Sequence, residues 1–362
     1  MKKGAIACIL ALCLLLSGCT SFLDGSYVYV QLHEHQSAPS SDQTLSAHSY
    51  SQLYAALKDM AQTGVENGVI YVREYRQSEV IADAQRALQK LVTTDPIAAY
   101  AVETMTFDLG TSGGEPALAV SITYVHDKSE IRQIKKAKDL DAATTMITSA
   151  LNAFEVGIVI HISEFTATDF VQIVESHAVE YPEYIIEQPQ VTVNLYPETG
   201  SSRLVELKFT YQTSRDILKE MQQSVRSMFT SARLYVSGAS DPQEKYAQLY
   251  SFLMERYDYT IETSITPSYS LLLHGVGDAR SFAVVYAAMC RRSGLNCHVV
   301  SGTREGEPWY WNIVEQEGVY FHIDLLRSSS DGEFRIMADT EMVGYVWDYS
   351  AYPTLQQTQA AE

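Results

Sequence analysis

The chain is short of positive charge. Among its 362 residues, Lys and Arg number 26 against 44 Asp and Glu, a formal net charge of −18. A surface of that sign repels phosphate backbones and no basic cluster offsets it, so nucleic acid is excluded as a partner. Metal-ligand patterns are also missing. There is no CxxC pair, and His33-Glu34-His35 stands beside the Ser-rich run Ser37 to Gln43, which reads as part of a solvated tether. No cofactor or metal is implied. Long hydrophobic runs are absent as well: the longest, Gly4 to Leu16, falls short of the about 20 apolar residues a spanning helix needs. What is present is an ordinary globular balance, 46% hydrophobic and 19% charged, which excludes wholesale disorder. The length suggests two or three domains at roughly 100–200 residues each.

The short apolar run has its own meaning. Lys2 and Lys3 precede it, and Leu16-Ser17-Gly18-Cys19 ends it. A positive start, a short apolar core and small residues before a cut make a secretory leader. The ending resembles the lipobox of bacterial lipoproteins, which implies that residues 1–18 are a signal peptide and that Cys19 carries the lipid. Two or more acyl chains hold a protein on a membrane far better than one. The expected location is the extracytoplasmic face of the cell membrane, with residues 19–48 as a lipidated tether. Of five cysteines, only Cys290 and Cys297 then remain for the folded part, either paired in an oxidising compartment or as buried free thiols.

The middle of the chain reads as two α+β modules, 49–140 and 141–238. In the first, a helix bearing Leu53, Leu57 and Met60 leads to a strand Gly68–Tyr75 and a helix Val80–Leu91. Strands Ala101–Leu109 and Ala117–Tyr124 and a charged helix Lys128–Lys138 follow. In the second, a helix through Met146 and Leu151 leads to a strand Gly157–Phe165 and a helix Asp169–Val179. Strands Gln190–Tyr196 and Arg203–Tyr211 and a helix Ser214–Phe229 complete it. Such a recurrence is the signature of a repeated unit. Alternation of Leu204, Glu206 and Lys208 with their neighbours predicts sheets with one buried face. Neither module offers a nucleophile–base pair, so binding or spacing is their expected role.

The last third, 239–362, carries the chemistry or its remains. Asp241-Pro242 starts a helix that runs through Tyr257, with Asp as N-cap and Pro at the first turn. A Ser/Thr/Pro-rich loop, Thr263–Ser270, follows. Gly277-Asp278-Ala279-Arg280-Ser281-Phe282-Ala283 then opens a helix with Phe282, Val285, Tyr286, Met289 and Cys290 on one face. Arg291 and Arg292 suit its C-terminal end and Gly294 its exit. After a strand Cys297–Gly302, Trp309–Gln316 and Val319–Leu325 form a hairpin turning at Glu317-Gly318. That two-residue turn sets Trp311 opposite Asp324, with Trp309 diagonal to it on the same face.

This combination resembles the bacterial transglutaminase-like domain, a member of the papain-like cysteine enzymes. The family pattern is Gly-Asp-Cys-x-x-Phe/Tyr-Ala, then His-Ala-Trp-Asn, then a hairpin ending in Asp. The tail from Met337 to Tyr352-Pro353 is similar to that of lipoproteins carrying this domain. The expected fold is therefore α+β: two repeated modules, then a transglutaminase-like domain with a helix packed on an antiparallel sheet.

Carried over residue by residue, the resemblance places the family's nucleophilic Cys at Ala279 and its His at Trp309, keeping only the orienting Asp, as Asp324. A helix N-terminus favours a thiolate; an alanine there attacks nothing, and an indole accepts no proton. The resemblance thus implies a pseudoenzyme, a binding or scaffolding module at the cell envelope. Its cleft would be lined by Asp278, Ser281, Tyr310, Trp311 and Asn312, with the aromatic side chains suited to a peptide or a cell-wall glycan, or simply plugged by Trp309. The competing reading is a hydrolase using Asp278, Ser281 and Asp324 with a histidine from elsewhere; His274 and His298 exist, and His274 sits just before the loop. Cys290, about three turns along the helix, is a core residue.

Overall fold

The computed structural model describes residues 45–352. Residues 1–44 and 353–362, and with them the leader, Cys19, His33, His35 and Pro353, lie outside the described residues. The described part is a mixed α+β protein holding three four-stranded sheets and a two-stranded one.

The first sheet is built from β1 (Leu45–Ser46), α1 (Tyr50–Thr63), β2 (Asn67–Tyr71), α2 (Val80–Thr94), α3 (Pro96–Ala101), β3 (Val102–Ser112) and β4 (Glu115–Tyr124). Ser49 caps α1, which buries Leu53, Leu57 and Met60 on one side. In α2 the buried residues Val80, Ala84, Ala87 and Leu91 recur at helical spacing. Strand order is β1-β2-β4-β3, with β1 parallel to β2 and the other pairs antiparallel. Residues 45 and 46, expected in the tether, thus belong to the sheet, and Ala47 is buried behind them.

The second sheet uses α4 (Lys128–Gln133), β5 (Lys135–Ala137), α5 (Leu140–Asn152), β6 (Gly157–Ile162), α6 (Phe170–Glu180), β7 (Gln190–Tyr196) and β8 (Arg203–Thr210). Its order is β5-β6-β8-β7, again with one parallel pair at the edge and two antiparallel pairs. The charged helix expected to reach Lys138 stops at Gln133. Lys135–Ala137 instead pairs along Ile160–Ile162, a short lysine-bearing edge of the kind that discourages further pairing. The one-sided burial expected of β8 also fails, because Leu204, Val205, Glu206 and Leu207 are all buried. The reason is tertiary: α3 covers the second face, where Leu204 meets Tyr100, Ala101 and Ile131. Glu206 survives there by accepting from Asn194 Nδ2 at 2.9 Å and pairing with Lys208 Nζ at 3.1 Å.

The remainder comprises α7 (Arg215–Tyr235), α8 (Pro242–Met254), β9 (Asp258–Tyr259), α9 (Pro267–His274), β10 (Val276–Gly277) and α10 (Ala279–Arg292). After these come β11 (Cys297–Arg304), β12 (Glu307–Gln316), β13 (Val319–Ile323), α11 (Leu325–Asp331) and β14 (Tyr345–Trp347). Helix α7, expected to close the second module, packs instead into the terminal core. Its Leu218, Val225, Phe229 and Ala232 join Tyr246, Leu249, Phe282 and Tyr286 in one cluster. Within the expected Thr263–Ser270 loop, Pro267 begins α9 at its first turn. Helix α8 ends at Met254, before Tyr257, and the chain continues into β9.

Helix α10 departs most from expectation. It buries Ala279 and every residue from Ser281 to Cys290, not one stripe, because α7, α8 and α9 surround it as well as the sheet β13-β12-β11-β14. The alanines at 283, 287 and 288 let those neighbours approach closely. Cys290 and Cys297 are both buried free thiols, and burial pushes the Cys290 thiol far above its ordinary pKa. The β12–β13 hairpin turns at Glu317 and Gly318 with φ of 52° and 81°, the two left-handed residues a type I′ turn requires. Its register pairs Asn312 with Ile323, which continues to Trp311 opposite Asp324. Among the described residues no helix is long and apolar enough to cross a membrane.

Candidate functional site

The site begins where β10 feeds α10. Val276–Gly277 pairs in parallel with Asp258–Tyr259, so the chain enters the helix pinned to a short ladder. A Cβ on Gly277 would stand 2.9 Å from Ser281 Cβ and 3.0 Å from Leu271 Cδ1, so only glycine fits. Asp278 is the N-cap. Its Oδ1 accepts from Ser281 N at 2.7 Å and from the Ser281 hydroxyl at 2.6 Å. Ala279 follows in the first turn, 7% exposed.

Asp324, at the end of β13, is 1% exposed. Its Oδ1 caps α11 by accepting from Leu326 N at 3.0 Å and Arg327 N at 3.1 Å. Its Oδ2 accepts from Trp309 Nε1 at 2.9 Å, Tyr345 Oη at 2.6 Å and Arg304 Nη1 at 3.4 Å. Every lone pair of the carboxylate is thus engaged, and one of its partners is the indole that stands at the diagonal position on β12. The Arg304 guanidinium lies 5.3 Å from the Trp309 ring and 5.7 Å from that of Tyr345. Burial first, and then the Asp324 charge, push the Tyr345 hydroxyl well above its usual pKa. Tyr259 of β9 packs its ring 6.1 Å from Trp309, which brings the strand paired with Gly277 against the indole. Asn312 ties the sheet to α10 by donating to Ala283 O at 2.9 Å.

Of the five side chains expected to line a cleft, only Tyr310 lines an open groove. Trp311, Asn312 and Ser281 are at most 1% exposed and Asp278 is 8% exposed. Trp311 packs among Val300, Ile313, Met337 and Trp347 in a second small core, because the tail from Met337 to Trp347 folds over that face of the sheet. The residues of the hydrolase reading are likewise occupied. The Ser281 hydroxyl donates to the capping carboxylate, and His274 is exposed at the end of α9 against Tyr269, with ring centroids 5.0 Å apart. His298 is exposed on β11. Among the described residues no group of three or more His, Cys, Asp or Glu is arranged to hold a metal ion.

One cluster was not anticipated. His322 is fully buried; its Nδ1 accepts from Trp311 Nε1 at 3.0 Å, and Nε2 bonds Asp339 Oδ1 at 2.6 Å. With Nδ1 accepting, the proton sits on Nε2 and points at Asp339. Burial lowers the pKa of this imidazole below the ordinary 6.5, although Asp339 pulls the other way. The available signal was its parity: His322 precedes Asp324 by two on a strand and shares its face.

The family described as "Transglutaminase-like superfamily" matches residues 230–348. The chain therefore carries a transglutaminase-like domain over the elements that build this site. Similar solved structures include one described as a TGase, at 10% identity and TM-score 0.28, covering 70% of this chain and 72% of that one. Another is a proposed cysteine protease from Cytophaga hutchinsonii, at 12% identity and TM-score 0.25, covering 43% of this chain and 70% of that one. No curated protein matches the chain.

Proposed function

We propose that the transglutaminase-like domain is catalytically inactive and serves as a binding or scaffolding module of a lipoprotein at the cell envelope. One observation carries the reading: the Trp309 indole donates to Asp324 at 2.9 Å, the hydrogen bond an orienting carboxylate would otherwise accept from an imidazole. An indole has no lone pair to take a proton. At the helix N-terminus, where a thiolate would be favoured, stands Ala279. Arg304 and Tyr259 pack on Trp309 from its sides, so the position is filled as well as inert. The anchor rests on Leu16-Ser17-Gly18-Cys19, with Cys19 lipidated and the folded part held on the extracytoplasmic face of the membrane. The partner is a peptide or a cell-wall glycan.

The test is to rebuild the missing pair. Ala279→Cys supplies a thiol without a base, and Trp309→His a base without a nucleophile. Neither alone is expected to turn over an amide or transamidation substrate; only the double variant restores both, so the effects are strongly non-additive. A melting curve accompanies the assay, because a smaller ring at 309 leaves a void. Amide turnover by the unmodified protein, abolished by Ser281→Ala or Asp278→Asn, would overturn the reading.

A further inference from the structure

A groove of about 820 Å³ runs between α6 and the outer edge of β11. Its walls come from both sides of the family match: Glu175 and Glu180 on α6 lie outside residues 230–348, and Arg280, Arg291 and Tyr310 within them. Neither Ala279, Trp309 nor Asp324 lines it.

The floor of the groove is an open strand edge. Glu315 N donates to Asn296 O, which by antiparallel alternation turns the even-numbered residues of β11 toward β12 and the odd-numbered ones outward. Two of the outward groups are met by side chains. Cys297 O accepts from Arg291 Nη1 at 3.0 Å, and Ser301 N donates to Tyr352 Oη at 3.0 Å. Beyond them β14 pairs along Gly302–Arg304. Between these capped positions Val299, half-buried, turns its N–H and C=O into the groove, and among the described residues no side chain meets either one. An edge flanked in this way leaves room for an added main chain at Val299.

The charges choose the side chain. Arg280 donates to the amide of Gln188 at 2.9 Å, and Arg291 to the main-chain oxygens of Cys297 and Glu180. Both guanidinium charges are therefore held by neutral acceptors beside the open edge, in a chain of net charge −18. Arginine's fork matches a carboxylate.

We propose that this groove binds an extended peptide that pairs its main chain with Val299 and places an Asp or Glu side chain on Arg280. The assignment rests on the binding role proposed above and supplies the class of partner. It does not depend on the blocked site.

The experiment selects phage-displayed random heptapeptides on the full chain, then measures synthetic versions of those recovered. The expected result is a recurring Asp or Glu at one position. Amide exchange at Val299 should slow at least tenfold in the complex, and affinity should fall by about tenfold or more in Arg280→Gln, with the melting temperature unchanged. Recovery of no peptide, or peptides that bind Arg280→Gln equally well, would overturn the proposal. Peptides that bind without slowing Val299 exchange would overturn the groove and leave the binding role standing. Slow Val299 exchange in the free protein, lost on removing residues 353–362, would assign the groove to the chain's own end and refute a separate partner.

Discussion

Replacing Asp324 by Asn tests how the blocked site is held together. The substitution keeps shape and removes charge. In the native arrangement Oδ1 faces two main-chain N–H groups, and Oδ2 faces the Trp309 indole, the Tyr345 hydroxyl and Arg304. All five are donors. An asparagine must point its NH₂ at one of these two sets, so either orientation sets donor against donor. In either orientation Arg304 loses its ion pair, and if the amide turns toward Trp309 and Tyr345, three donors lose their acceptor. If it turns the other way, α11 loses its cap. Arg304 keeps 27% of its side-chain surface exposed, so losing its partner costs less than the about 3–5 kcal/mol of a fully buried pair. A single hydrogen bond to a charged group is worth about 1.5–3 kcal/mol. Asp324→Asn is therefore expected to destabilise by about 3–5 kcal/mol, and Tyr345→Phe, which removes one donor, by less. Urea unfolding followed by tryptophan fluorescence measures both, since Trp309, Trp311 and Trp347 surround the site; an unchanged m-value shows that the unfolded reference is the same. An Asp324→Asn protein within about 1 kcal/mol of the unmodified one would refute the five-donor account.

Acid should destabilise the fold through His322. Its folded pKa is lowered by burial from 6.5, so the unfolded chain takes up the proton first. The contribution is intact above about pH 6.5 and is lost as pH falls through the lower folded value. Unfolding free energy measured against pH should fall below that point, and an equal slope in His322→Gln would refute the assignment. Gly302→Ala should destabilise by about 1–3 kcal/mol by overpacking, because its Cβ would lie against the Val346 carbonyl and 2.7 Å from Trp311 Cη2; an unchanged melting temperature would contradict that crowding. Cys19→Ser should release the protein from the membrane fraction or leave an unprocessed precursor, and a mature-sized variant still partitioning to membranes would sink the lipid anchor.

Much of this was legible locally. Helix starts were read from Asp241-Pro242 and Asp278, and the hairpin from Glu317-Gly318, because caps and turns are decided by a few adjacent residues. The register of β12 on β13 followed from the turn alone, and with it the placing of Trp309 beside Asp324. What the sequence did not determine is which surfaces are covered. Helix α10 is buried all round because α7 packs on it. Leu204 and Glu206 lie inside because α3 closes over β8. Trp311 and Asn312 are not cleft residues because the tail and α10 cover the two faces of β12. His322 and Asp339 meet across a bridge between β13 and the tail that no local pattern announces. In each case the deciding contact joins segments far apart in the chain, and periodicity records only that a face is apolar, not what comes to rest on it.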